Sequence, residues 1–82
     1  MKKGGSGKEI TISGYVTALE FDERDNVLVL GIATDQTDYV VESNEIMKEL
    51  LGLLDVEIEA TGTVKTDGLG TKLIRLQSFR PL

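Results

Sequence analysis

Val56-Glu57-Ile58-Glu59-Ala60-Thr61-Gly62-Thr63-Val64-Lys65 is the stretch whose reading decides the fold. Val56, Ile58, Ala60, Gly62 and Val64 alternate strictly with Glu57, Glu59, Thr61, Thr63 and Lys65. Successive side chains of an extended chain leave on opposite faces, so this period of two predicts a strand with one buried and one wet face. Downstream, Thr66-Asp67-Gly68-Leu69-Gly70-Thr71 predicts a glycine-rich hairpin loop. Leu73 to Phe79 supplies the returning strand, and Pro81, which lacks a backbone donor, is expected to stop it.

Upstream of Val56 the period becomes helical. Ile46, Met47, Leu50, Leu51 and Leu54 form a broad apolar stripe over an expected helix at 44–54. Ser43 or Asn44 can cap it by accepting a free backbone N–H, and Glu45 suits the positive end of the helix dipole. Gly52 is expected to end it in a left-handed conformation.

Three strands precede the helix. From Lys8 the chain alternates, with Ile10, Ile12, Gly14, Val16 and Ala18 on one parity. Gly14 suggests a sharp coil within a long strand, and beyond Ala18 the apolar parity flips to Leu19 and Phe21. Asp22-Glu23-Arg24-Asp25-Asn26 is a polar turn. Val27 to Ala33 is a nearly unbroken apolar run and reads as a strand apolar on both faces. Leu28, Leu30 and Ile32, the larger set, are expected to face inward, leaving Val27, Val29, Gly31 and Ala33 outside. Asp38 to Glu42, around Tyr39-Val40-Val41, is a short third strand.

The resulting order, β-β-β-α-β-β, resembles that of the OB-fold, a five-stranded Greek-key barrel with a helix between its third and fourth strands. The resemblance covers about residues 8–80 and rests on Gly14 in the long first strand, the 44–54 helix and the Val56–Gly62 strand. It is a pattern of elements and identifies no particular family. The fold class expected is therefore all-β: a small five-stranded barrel over residues 8–82, preceded by a flexible Gly/Ser segment at 1–7. A β-grasp domain would place two strands before its helix, and an SH3-like barrel would not need so apolar a helix.

Composition sets further bounds. Eighty-two residues make one domain, and 40% hydrophobic residues can fill a core. No apolar run approaches the length of about 20 residues that a membrane span requires, so no membrane contact is expected and the default localisation is cytoplasmic. The net charge of −5 is uneven: residues 1–8 carry +3, residues 9–59 carry −11 and residues 60–82 carry +3. The body is acidic and its ends are basic.

The chain has no histidine and no cysteine, which removes the usual general base, the thiolate nucleophile and the commonest metal ligands. Asp22, Glu23, Asp25, Asp35 and Asp38 lie in polar turns or beside them, where carboxylates are solvated and ionised, and ordinary turn chemistry is the preferred reading over catalysis. Asp22 to Asn26 lacks the alternating ligands and terminal glutamate of a calcium loop. Ser6, Ser13, Ser43 and Ser78 have no histidine to activate them. Gly68-Leu69-Gly70-Thr71-Lys72 precedes a strand where a phosphate loop precedes a helix. No enzymatic activity, cofactor or metal is expected.

Binding remains. The OB resemblance implies a surface on the second and third strands for single-stranded nucleic acid, which such sites hold with cations and aromatic platforms. Tyr39, Lys65, Lys72 and Arg75 are the residues offered for that contact, with Tyr15 and Phe21 as further aromatics. Packing is the preferred reading for Phe21 and Phe79, and the acidic first turn opposes phosphate. The alternative is protein recognition or self-association, including a homodimer, through an outer apolar stripe of Val27, Val29 and Ala33 beside Tyr39 or Val41. On sequence alone the two partners weigh about equally.

Overall fold

A computed structural model describes residues 8–82, so the flexible segment expected at residues 1–7 lies outside the described residues. The strands are β1 (Lys8–Phe21), β2 (Val27–Ala33), β3 (Asp38–Val41), β4 (Glu57–Thr66) and β5 (Lys72–Pro81). Helix α1 (Ile46–Leu50) runs into a 3₁₀ turn at Leu51–Leu53. The strands close into a barrel in the order β1-β2-β3-β5-β4, antiparallel except where β3 meets β5. The all-β class, the closed five-stranded barrel and the helix between β3 and β4 are as the sequence predicts.

β1 belongs to both halves of the barrel. Lys8–Tyr15 pairs with β4, whereas Tyr15–Phe21 pairs with β2. The handover requires Gly14, because a Cβ there would stand 2.4 Å from the carbonyl oxygen of Ala33. The end of β2 crosses β1 too closely for any side chain.

The alternation of β4 is realised as read: Ile58 and Ala60 are buried, while Glu57 is exposed. They meet Val16, Leu30, Ile32, Val41, Ile74 and Leu76 in one core. From α1, Leu50 is fully buried, and Ile46 and Met47 pack against the same cluster. The helical stripe then departs from expectation. After Leu50 the chain winds as 3₁₀, at about three residues per turn, so Leu53 packs against the core while Leu51 and Leu54 remain exposed. Gly52 is not left-handed. The chain reverses at Asp55, with φ of 67°, whose N–H bonds to the Val16 carbonyl at 2.8 Å.

Asn44 performs the capping expected of it and a second task. Its Oδ1 accepts the Ile46 N–H at 3.0 Å, while its Nδ2 donates to the Leu76 carbonyl on β5, also at 3.0 Å. The Leu76 bond falls just beyond the parallel β3–β5 ladder, which comprises Val40 with Leu73 and Val41 with Ile74 and is extended by Glu42 N–H to the Ile74 carbonyl at 2.8 Å. A side-chain amide thus continues the barrel seam after the backbone has turned away into the helix. β5 itself runs further than expected: Pro81 pairs with Ile58 within the strand. It is tolerated because β3 flanks β5 only near Leu73 and Ile74, so the missing N–H interrupts no second ladder.

The β1–β2 and β4–β5 connections use one device. In each, an aspartate Oδ1 accepts two backbone N–H groups: Asp22 from Arg24 and Asn26, Asp67 from Leu69 and Thr71, at 2.8–3.0 Å. In each, the residue three places on is left-handed, Asp25 at φ 65° and Gly70 at φ 87°. Only the second turn has glycine there, so equivalent substitutions should act in opposite directions. Asp25→Gly is expected to raise stability by about 0.5 kcal/mol, whereas Gly70→Ala should lower it by about 1 kcal/mol. Gly14→Ala, which overpacks the β1–β2 crossing, should cost about 2–3 kcal/mol. Urea unfolding of the three variants measures all of these.

Candidate functional site

The β1–β2 hairpin extends beyond its neighbours as a two-stranded ribbon. β3 pairs only with Gly31–Ala33 of β2, leaving Val27–Leu30 without a partner on that side. β4 pairs with β1 only as far as Tyr15, and beyond it Val16 bonds to Asp55 and Val56. The ribbon carries a local displacement. Ala18 with Leu30 and Phe21 with Val27 belong to one register, but Glu20 lies opposite Val29, one residue out of step. Leu19 on β1 and Leu28 on β2 are therefore unpaired, and the two irregularities cancel.

Their effect is to roll the ribbon. Leu28, expected inside, is 55% exposed, while Val27, expected outside, packs against the core. Phe21, expected in the core, is 55% exposed, and Leu19 is 47% exposed. The Leu19 methyl group lies on the outer wall, 2.8 Å from where a Gly31 Cβ would project. Bulges commonly re-aim side chains in this way. Of the expected apolar stripe, Val27 is withdrawn, Val29 is half-buried opposite Glu20, and Ala33 is half-buried between Tyr15 and Asp38.

The four residues offered for nucleic-acid contact do not form one group. Tyr39 pairs with Ile32 and is only 9% exposed, so its ring is a core side chain with no open face for stacking a base. Lys65 and Arg75 share the outer wall of β4 and β5, at positions opposite Leu73 and Thr63. Lys65 is held by Glu42 at 3.0 Å, and Arg80 by Glu59 at 3.0 Å. Arg75 also borders a depression formed with Ser43, Asn44, Glu45, Ile46 and Leu76. Lys72 pairs with Thr66 beside the hairpin loop, on the opposite parity to Lys65 and Arg75. The aromatic ring with an open face on the outer wall is instead Tyr15, 51% exposed beside Ala33. Phe79, as expected, packs against the core.

The carboxylates likewise serve local structure. Thr11, Ile12, Ser13, Thr34, Asp35, Gln36 and Tyr39 line a shallow open cleft of about 270 Å³. There the Thr34 hydroxyl, not Asp35, organises the turn by accepting the N–H groups of Gln36 and Thr37. Among the described residues no group of three or more acidic side chains gathers as a metal site, and no helix is long and apolar enough to cross a membrane.

Leu28, Leu30 and Ile32 share a parity, so side-chain size points all three inward, whereas the displaced ladder leaves Leu28 exposed. No single-strand pattern carried the signal, because the exposure of Leu28 goes with the displaced pairing of Glu20 and Val29.

Asp22 anchors the β1–β2 turn. The Asn26 backbone N–H, the Asn26 side-chain amide and the Arg24 N–H, in that order, hold its carboxyl below the ordinary value of 3.8. A carboxylate whose folded pKa is depressed adds stability that is intact above its unfolded value and is lost as pH falls through the folded one. Asp22→Asn should therefore be less stable than wild type at pH 7, with the difference shrinking as pH drops below about 3.9. Urea melts at a series of pH values test this, and a difference constant with pH would remove the charge from the explanation.

Comparison with known proteins gives no relative: no protein-family model, no curated protein and no solved structure matches the chain.

Proposed function

We propose that this chain is a small non-catalytic binding module of the OB type whose contact surface is the β1–β2 ribbon, and that the surface receives a protein. The OB assignment is supported by the closed five-stranded barrel, the first strand shared between its halves and the helix between β3 and β4. The non-catalytic reading is supported by a sequence without histidine or cysteine. Fold alone does not assign a partner, which must be argued from the surface.

The observation that carries the proposal is the exposure of Leu19, Phe21 and Leu28 on one short ribbon. Water gains little from three such side chains, and burying each against a partner contributes about 1.5–3 kcal/mol before the costs of association. Nucleic acid is the second reading, favoured by exposed Arg75 and Lys72, which have no ion-pair partner among the described residues, and by the open ring of Tyr15. Against it, residues 8–82 carry seven cations and fourteen carboxylates, a net −7. Two of those cations are already paired with glutamates.

Leu28→Ser separates a contact residue from a core one. As a solvent-facing residue it should leave stability within about 0.5 kcal/mol of wild type, whereas a buried leucine would cost about 2–5 kcal/mol. Val29→Glu is a poorer probe because it would place a second carboxylate opposite Glu20. The nucleic-acid reading is tested by adding single-stranded DNA or RNA at low salt. Amide shifts at Tyr15, Lys65, Lys72 and Arg75 that fade as salt rises would overturn the protein reading; unmoved signals at millimolar oligonucleotide support it.

A further inference from the structure

Resting on the protein-contact reading, we propose that the ribbon's partner is a cationic amphipathic segment that docks by its apolar side chains and is steered by its lysines or arginines. Charge supplies the first argument. Glu20, Asp22, Glu23 and Asp25 stand beside the exposed Leu19, Phe21 and Leu28 along the β1–β2 hairpin, and Arg24 is the sole cation between Glu9 and Met47. The Asp22 carboxyl is kept ionised by the three donors it accepts from Arg24 and Asn26. Exposed apolar side chains interspersed with carboxylates favour a partner that pairs apolar residues with cations, and like charge there raises the cost of other partners.

The ladder supplies the second argument, which concerns the mode of docking. Val27–Leu30 presents an open strand edge, which elsewhere would invite another strand. Here the Glu20–Val29 displacement leaves Leu19 and Leu28 unpaired on the two strands, breaking the regular spacing that an added strand must match. The ribbon is therefore read by its side chains, and the partner need not be extended.

The barrel of a second copy is poorly matched to this hairpin. Two ribbons brought together would oppose their own acidic turns. The basic wall of a second copy has Lys65 and Arg80 already committed to Glu42 and Glu59. That leaves Lys72 and Arg75 to face four carboxylates.

Two synthetic amphipathic peptides test this, with identical length and leucine spacing, one with lysine and the other with glutamate at its polar positions. Amide signals of the whole protein are followed by NMR, and affinity is measured by calorimetry. The lysine peptide should shift signals of Ala18–Leu30 saturably, more weakly at high salt, and Leu28→Ser or Phe21→Ser should each reduce affinity about tenfold or more. Equal binding of the glutamate peptide at the same residues would overturn the charge inference and leave the protein-contact reading standing. Lysine-peptide shifts centred on Glu45, Glu49 and Glu57, indifferent to Leu28→Ser, would overturn both. Broadening of the ribbon signals with protein concentration alone would replace the cationic partner with a second copy.

Discussion

The barrel depends on closing the seam between β3 and β5. Every other neighbouring pair is antiparallel, and all but β2–β3 are long; this one is parallel and short, confined to Val40 with Leu73 and Val41 with Ile74. Without it the strands form an open sheet with two exposed edges, and Tyr39, Val41 and Ile74 lose their common interior. Glu42 N–H and the Asn44 amide lengthen the closure by bonding to Ile74 and Leu76. Because the same Asn44 also caps α1, the helix cannot shift without disturbing the seam, nor the seam without disturbing the Leu50 plug. One residue couples barrel closure to core filling.

Most of this architecture was legible in the sequence because it follows from local rules. The alternation of Val56–Val64, the glycine-rich hairpin and the polar turns each express a preference of a few neighbouring residues, and the structure keeps them. Three features were not legible, and each arises from an interaction between distant segments. The displacement at Glu20–Val29 is a property of two strands paired together, so no single-strand pattern reveals that Leu28 faces water. The 3₁₀ winding of Leu51–Leu53 accompanies the packing of Leu50 and Leu53 on the barrel, contacts that helical periodicity alone could not supply. The third is the position of Tyr39: a β-strand tyrosine suits either face equally, and only its register with Ile32 buries it.

The candidate surface follows the same division. Its charge was legible, since the acidic turn and basic C-terminal half are facts of composition. Its apolar content was not, because the expected stripe of Val27, Val29 and Ala33 presumed an undisturbed ladder. What the fold adds is a pairing of cations with neighbouring acids that composition hides: Lys65 and Arg80 count as positive in the sequence but are largely neutralised on the wall. Each pair also engages a glutamate, so the wall keeps its net charge while two of its cations are already occupied.

The continuity of β1 has a mechanical meaning. Lys8–Phe21 is one unbroken strand, anchored along β4 in its first half and forming one rail of the free ribbon in its second. The ribbon is thus a cantilever clamped in the barrel wall, with Gly14 at the clamp and the apolar side chains near the loaded end. A force applied at Phe21 passes along β1 to the buried Val16 and the β1–β4 ladder, while one applied at Leu28 passes along β2 to the buried Leu30 and Ile32. Anchorage in the wall and display of Phe21 come from the same strand.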